Sequence, residues 1–344
     1  MQIVYTNRHK LHATDEIHIQ GYPFSTWEVP ARAEVILATV QAAQLGPVIE
    51  PTDHGSDPIL AVHDAGFVDF LRGVYAATAE CATNTGQSSP VFTETFATRY
   101  AGRKPRSFLG LKGYYAFGWG SPILEGTWEA AYWAAQCALT AVDLARAGER
   151  AAYALCRPPG HHASCDLYGG YCYLNNAAIA ARALRAEGDK VAILDVDYHH
   201  GNGTQLIFYS DPSVFYGSLH AHPDEEYPYY WGNADEIGEG LGMGTNHNWP
   251  LPRGTGDAAY LHALDQVLAS IRSFSPRWLV VSAGFDTLED DPEGGFQMTA
   301  AGLRESGRRI AGLDLPTVIV QEGGYRLDRL GDDALTFLTE LAGT

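Results

Sequence analysis

The stretch VAILDVDYHHGNGT, Val191 to Thr204, constrains the fold more than any other. An apolar, partly β-branched run has the composition of a buried strand. It leads directly into Asp195, Asp197, His199 and His200, and then into a glycine-rich turn. Carboxylates and imidazoles resist burial unless they are paired or surround a cation. Either these groups satisfy one another in the core, or something positive sits among them.

The same pattern recurs along the chain. Strands are expected at Ile3–Tyr5, Ala152–Cys156, Val191–Asp195, Val214–Leu219, Trp278–Ser282 and Thr317–Gln321. Helical patterns lie between them, at Arg32–Gln44, Trp128–Ala147 (with Thr127 as the expected cap), Asn176–Ala186, Gly256–Ser273, Thr299–Ala311 and Asp328–Leu341. Short strands alternating with helices predict an α/β fold with an open, mostly parallel sheet. No composition break divides the 344 residues, so a single catalytic domain over 1–344 is expected. Residues 76–125 read as an insertion rich in Thr, Ser, Gly and aromatics. Its second half carries Arg99, Arg103, Lys104, Arg106 and Lys112 and no acid, in a chain of net charge -18.

That net charge argues against nucleic acid as a partner, because phosphate recognition needs a basic face. No apolar run reaches membrane-spanning length, and MQIVYTNRHK lacks the order of a signal peptide. No membrane association is expected. Cys81, Cys137, Cys156, Cys165 and Cys172 form no CxxC pair, which fits reduced thiols and a cytoplasmic location. Cys172 reads as a small buried hydrophobe.

Open α/β sheets bind ligands beyond the carboxyl ends of their strands. Four of the expected strands end in titratable residues: His161 and His162; Asp195, Asp197, His199 and His200; Asp286; and Tyr325. If the chain stays extended, Asp197 and His199 point to one face. With Asp286 they make a three-ligand set, the count of a catalytic metal site with an open position. Two carboxylates and an imidazole suit Zn(II), Fe(II) or Co(II), and the alternative is a polar pair satisfied in the core. His161 and His162 are candidates for general base and acid, with Asp195 and Asn202 as orienting partners. Tyr325, after two glycines, reads either as a donor to an oxyanion or as packing.

In order, RPPGHH, GGYCYLNN, ILDVDYHHGNGT, SLH, AGFD and QEGGY resemble the arginase–deacetylase superfamily, in its zinc-dependent deacetylase branch. RAEVILATV, VHDAGFVDFL, GTWEAA and the long insertion are similar to the bacterial acetylpolyamine amidohydrolases. The resemblance implies the arginase–deacetylase fold, with helices on both faces of the sheet, and hydrolysis of a small amide such as an acetylated amine or polyamine. It implies zinc on Asp197, His199 and Asp286, catalysis by His161, His162 and Tyr325, and a structural potassium ion at Asp195, Asp197, His199, Ser218 and Leu219. It places Gly170, Tyr171 and Tyr227 on a substrate tunnel. Protein acetyl-lysine is the alternative substrate, and a non-catalytic binding module is the reading from a different class. Arginase chemistry is disfavoured, because Gly201 stands where that enzyme's motif has a further aspartate.

Aligning GYY and GTWEAA sets Leu109 and Gly120 where the polyamine enzymes carry acids, with Trp119 beside them. This predicts an outer pocket that prefers an uncharged group to a distal ammonium, unless Asp224, Glu225 or Glu226 intervenes. The aromatics of the insertion, Tyr100, Phe108, Tyr114, Tyr115, Phe117 and Trp119, predict a homodimer interface that narrows the tunnel.

Overall fold

In the computed structural model, which describes residues 1–15, 17–19, 22–23, 25–81, 90–93, 95–98, 102–185 and 188–343, eight strands form one all-parallel sheet. The first half of the chain contributes β1 (Gln2–Val4), β2 (His18–Ile19), β3 (Tyr22–Pro23), α1 (Ala31–Ala42), β4 (Val48–Ile49), α2 (Asp57–Leu60), α3 (Ala65–Cys81), α4 (Phe108–Tyr114), α5 (Thr127–Arg146) and β5 (Ala151–Ala154). The second half contributes α6 (Asn176–Leu184), β6 (Val191–Asp195), α7 (Asn202–Phe208), β7 (Val214–Ala221), β8 (Asn246–Leu251), α8 (Asp257–Phe274), β9 (Trp278–Ala283), α9 (Ala300–Ala311), β10 (Thr317–Gln321) and α10 (Leu327–Ala342). The sheet order is β4-β1-β5-β10-β9-β6-β7-β8, while β2 and β3 pair as a separate hairpin.

The twofold periodicity of the strands builds two cores. In β6, Val191 and Ile193 face one layer, with Phe67, Phe70, Ala138 and Ile179 from α3, α5 and α6. Ala192 and Leu194 face the other, with Ile36, Leu264, Ile310 and Phe337 from α1, α8, α9 and α10. Both faces of the sheet are thus covered, as a parallel sheet requires.

All six expected strands form, β6 and β10 with the expected bounds. The expectation missed β4, which has two residues, and β8 (NHNWPL), whose polar alternation and Pro250 suit the edge position it occupies. Thr127 does not cap α5. Gly126 holds that position, while the Thr127 hydroxyl accepts the Leu124 N–H at 2.7 Å and bonds His12 Nδ1 at 2.9 Å. The helix expected at Asn176–Ala186 is capped by Asn175 and runs to Leu184; Ala186 lies outside the described residues. The expected insertion is not all loop, since α3 runs into it and α4 lies within it. Arg99 and Tyr100 lie outside the described residues. No helix among the described residues is long and apolar enough to cross a membrane.

Candidate active site

Four neighbouring strands, β5, β10, β9 and β6, send their carboxyl ends to one place. β6 stops at Asp195, so Asp197 and His199 stand on the loop beyond it rather than on an extended strand as expected. They converge for a different reason. The Asp197 carboxylate accepts the His199 N–H at 2.9 Å and the Gly323 N–H at 2.8 Å, and Asp286 accepts the Tyr198 N–H at 3.0 Å. Ligand atoms of Asp197, His199 and Asp286 then lie within 4.8 Å of one another, all three residues buried. His199 Nδ1 is 3.3 Å from Asp197 and 3.2 Å from Asp286.

Glycine makes this approach possible. A Cβ at Gly323 would meet the carboxylate oxygens of Asp286 at 2.3 Å and Asp197 at 2.6 Å, and one at Gly284 would meet Asp197 at 2.1 Å. The site brings two buried carboxylates up against one imidazole. Burial, and then the neighbouring Asp197, push the Asp286 carboxyl up to about 7. Burial also opposes ionisation of Asp197, but His161 and His199 outweigh it and hold Asp197 low. The donor set is two carboxylates and one imidazole, which fits a divalent metal of borderline hardness.

A second buried group, His161, Cys172 and Glu322, has similar spacing but different commitments. Glu322 already accepts the Gly160 N–H at 2.6 Å and the His161 N–H at 3.1 Å, and burial pushes the Cys172 thiol well up. It holds the histidine loop in place.

His161 Nδ1 lies 3.1 Å from Asp195 Oδ2, and His162 Nδ1 donates to Asn202 Oδ1 at 2.7 Å. Both expected partnerships are present. The ring centroids of the two histidines are 4.1 Å apart. Burial disfavours the His161 imidazolium, but Asp197 and Asp195 outweigh burial and push it up to about 10. Burial, then the positive neighbours His161 and His199, push His162 well down. Of the residues expected at a potassium site, Asp195 and Ser218 are register partners across β6 and β7, and Leu219 is fully buried beside them. Ser218 Oγ bonds His220 Nδ1 at 2.8 Å.

A cavity of about 260 Å³ opens above His162, His199 and Tyr325. Tyr171, Tyr227, Gly170, Gly118, Trp119 and Gly120 form its walls, so the expected tunnel residues meet there, with one exception. Leu109 lies outside it: on the first turn of α4 it is 58% exposed. Tyr227 stacks on Phe117 at 6.0 Å and meets the His162 ring edge-on at 5.0 Å.

The expectation of an uncharged outer pocket does not hold. Glu226 and Glu293 line the cavity, and no lysine or arginine does among the described residues. Of the three acids in the loop before Tyr227, only Glu226 reaches the cavity; Asp224 and Glu225 line no part of it. Glu293 was missed. Its signal was position alone: it follows Asp286 in the same strand-end loop, DTLEDDPEGG. The Glu226 carboxylate accepts the Tyr198 hydroxyl at 3.1 Å and Arg253 at 3.4 Å, whereas no described residue pairs with the Glu293 carboxylate.

The family model described as histone deacetylase domain matches residues 26–341. Over its full length the chain is 46% identical to acetylpolyamine amidohydrolase 1 of Pseudomonas aeruginosa, covering 99% of that protein. It is 41% identical to the acetylpolyamine amidohydrolase of Mycoplana ramosa, with both chains fully covered. Among solved structures it is similar to an acetylpolyamine aminohydrolase from Burkholderia pseudomallei, with a TM-score of 0.93 and 42% identity over 99% of this chain and 98% of that one.

Proposed function

Because the chain belongs to the histone deacetylase domain family, we propose that it is a metal-dependent amidohydrolase that removes the acetyl group from a small acetylated amine or polyamine. One observation carries the reading. The cavity walled by Tyr171, Tyr227 and Trp119 reaches Tyr325 and His199, the latter part of a buried group suited to holding a metal, and two carboxylates, Glu226 and Glu293, line it. An acetamide reaching the floor leaves the cationic remainder of a polyamine beside those carboxylates.

Asp197, His199 and Asp286 would hold the ion, with zinc favoured and Fe(II) or Co(II) as alternatives. When bound, such a metal supplies Lewis acidity and a more acidic water. The protein's part is positioning and proton transfer. His162 donates through Nδ1 to Asn202, which leaves the lone pair of Nε2 free to accept a proton and later deliver it to the departing amine. His161, fixed by Asp195 behind it, provides the adjacent charge. Burial keeps the Tyr325 hydroxyl protonated, able to donate to the developing oxyanion. The Gly170 carbonyl, in a loop turned by φ +56°, is the acceptor assigned to the substrate N–H.

The same reading takes Asp195, Asp197, His199, Ser218 and Leu219 as a structural potassium site, and residues 1–344 as one catalytic domain in the cytoplasm. It also takes the insertion, with exposed Trp119 and Leu109, as the interface of a homodimer. A panel of acetylated substrates tests the function, measured with metal content and light scattering. Turnover of free acetylated amines well above acetyl-lysine peptides is expected; the reverse order would favour a protein deacetylase, and no turnover by metal-loaded protein would end the proposal.

A further inference from the structure

One buried carboxylate belongs neither to the candidate ligand group nor to the cavity lining, yet it joins two of the loops that build the site. Asp291 is 7% exposed, on the loop that follows β9. Its Oδ1 accepts the Glu293 N–H at 3.0 Å. Its Oδ2 accepts the Tyr325 N–H at 2.7 Å and the Arg326 N–H at 3.1 Å. One side chain therefore fixes two backbones from different strand ends, one carrying the cavity acid and the other the tyrosine.

Both backbones need such a tie. Gly323 and Gly324, the latter at φ +113°, precede Tyr325, and Gly294 and Gly295 follow Glu293. On its other side the tyrosine loop is held by Arg32, fully buried on α1. Arg32 donates to the Glu322 and Gly324 carbonyls at 2.6 Å each, and its guanidinium lies 4.5 Å from the centroid of the Tyr325 ring. No comparable clamp holds Glu293 among the described residues, so Asp291 is its main anchor.

We propose that Asp291 is a positioning residue that couples substrate selection to turnover: it holds Glu293 against the distal end of the substrate and Tyr325 over the reacting carbonyl in a single arrangement. This rests on the function proposed above. Asparagine has the shape of aspartate but only one acceptor oxygen, so in Asp291→Asn an amide NH₂ must face at least one of the three N–H donors.

The test is kinetic, on metal-loaded full-length protein, with an acetylated polyamine and a neutral acetylated amine. D291N is expected to keep stoichiometric metal and to lower kcat on both substrates by about tenfold or more, part of what one oxyanion donor is worth. It should also reduce the kcat/KM preference for the cationic substrate. Adding Tyr325→Phe should then cost far less than it does in the wild type, because the two residues act as a unit. An unchanged preference with additive losses would reduce Asp291 to a stabilising role and overturn the proposal. If D291N does not fold, amide exchange in the wild type decides: Glu293, Tyr325 and Arg326 should open together, and separate opening refutes the tie. Should the wild type turn over no acetylated amine, the proposed function falls, while amide exchange still reads the tie.

Discussion

The floor and the mouth of the cavity are built on different principles. At the floor, Asp197, His199, Asp286, His161 and His162 sit at the ends of adjacent parallel strands, and each is held by at least one buried hydrogen bond between 2.7 and 3.2 Å. At the mouth, Trp119, Tyr227, Glu226 and Glu293 come from three separate loops, none of them fixed by a strand end: Tyr227 rests on Phe117 and His162, and Glu226 on Tyr198 and Arg253. The floor follows from sheet register. The mouth depends on where long loops settle, and register says nothing about that. Chemistry is therefore expected to be stiff to change at the floor, and specificity to be adjustable at the mouth.

The largest effect should come from Asp286→Ala. It removes one of the three proposed ligands and leaves Asp197 and His199. Metal content is expected to fall below stoichiometric and activity to drop to background, read by elemental analysis beside turnover. Tight stoichiometric metal in that variant would remove Asp286 from the ligand set and break the picture of a floor fixed by strand ends.

Tyr325→Phe should come next. The ring keeps its place beside Tyr171 and Arg32, and only the hydroxyl is lost. Metal content should not change, while kcat falls roughly 100- to 1000-fold, the usual cost of one oxyanion donor. A variant within a few-fold of wild type would make Tyr325 a packing residue, the other reading its sequence allowed.

Glu293→Gln moves the test to the mouth. Glu293 lines the cavity and its carboxylate has no partner among the described residues, so the variant should lose about ten- to a hundredfold in kcat/KM on a cationic substrate and little on a neutral one. The pH dependence should follow the same residue. Burial raises the Glu293 carboxyl, His199 pulls it back, and Asp291 and Glu226 add to the rise. Its charge is thus lost at a higher pH than that of an ordinary glutamate as the solution is acidified. The preference for the cationic substrate should fall with pH in the wild type and stay flat in the variant; a parallel decline in both would assign the effect elsewhere.

The two regions also differ in how much of each was legible in the sequence. Val191–Asp195 and Thr317–Gln321 announce themselves as apolar runs, and the polar residues at their ends fall into place once the sheet is parallel. Asp197 and His199 come together without the extended strand that their alternation predicts, because side-chain-to-backbone hydrogen bonds curl that loop to the same side. Nothing comparable marks Glu293. It sits among Glu289, Asp290 and Asp291 in an acidic loop that looks like solvated surface, and only the turn made by Asp291 and the glycines after it brings one of those carboxylates to the cavity. Leu109 shows the opposite failure: alignment by neighbouring motifs put it in the pocket, while the first turn of α4 faces it outward.

The smallest expected effect sharpens that contrast. Leu109→Glu restores an acid where the polyamine enzymes were inferred to carry one, and a pocket residue there should raise kcat/KM on a cationic substrate. Leu109 is instead 58% exposed and lines no part of the cavity, so the new charge would sit in high dielectric, screened beyond about 10 Å at moderate salt. Basic neighbours in the insertion, Arg106 and Lys112 among them, would neutralise it further. The change in kcat/KM should stay within about twofold, the range expected for an exposed charge worth under about 0.5 kcal/mol. Only one arrangement would give more: a homodimer that carries Leu109 of one chain to the mouth of the other. A tenfold gain that disappears on dilution to monomer would therefore move the outer specificity site from the single chain to the assembly, with Glu293 as its inner half.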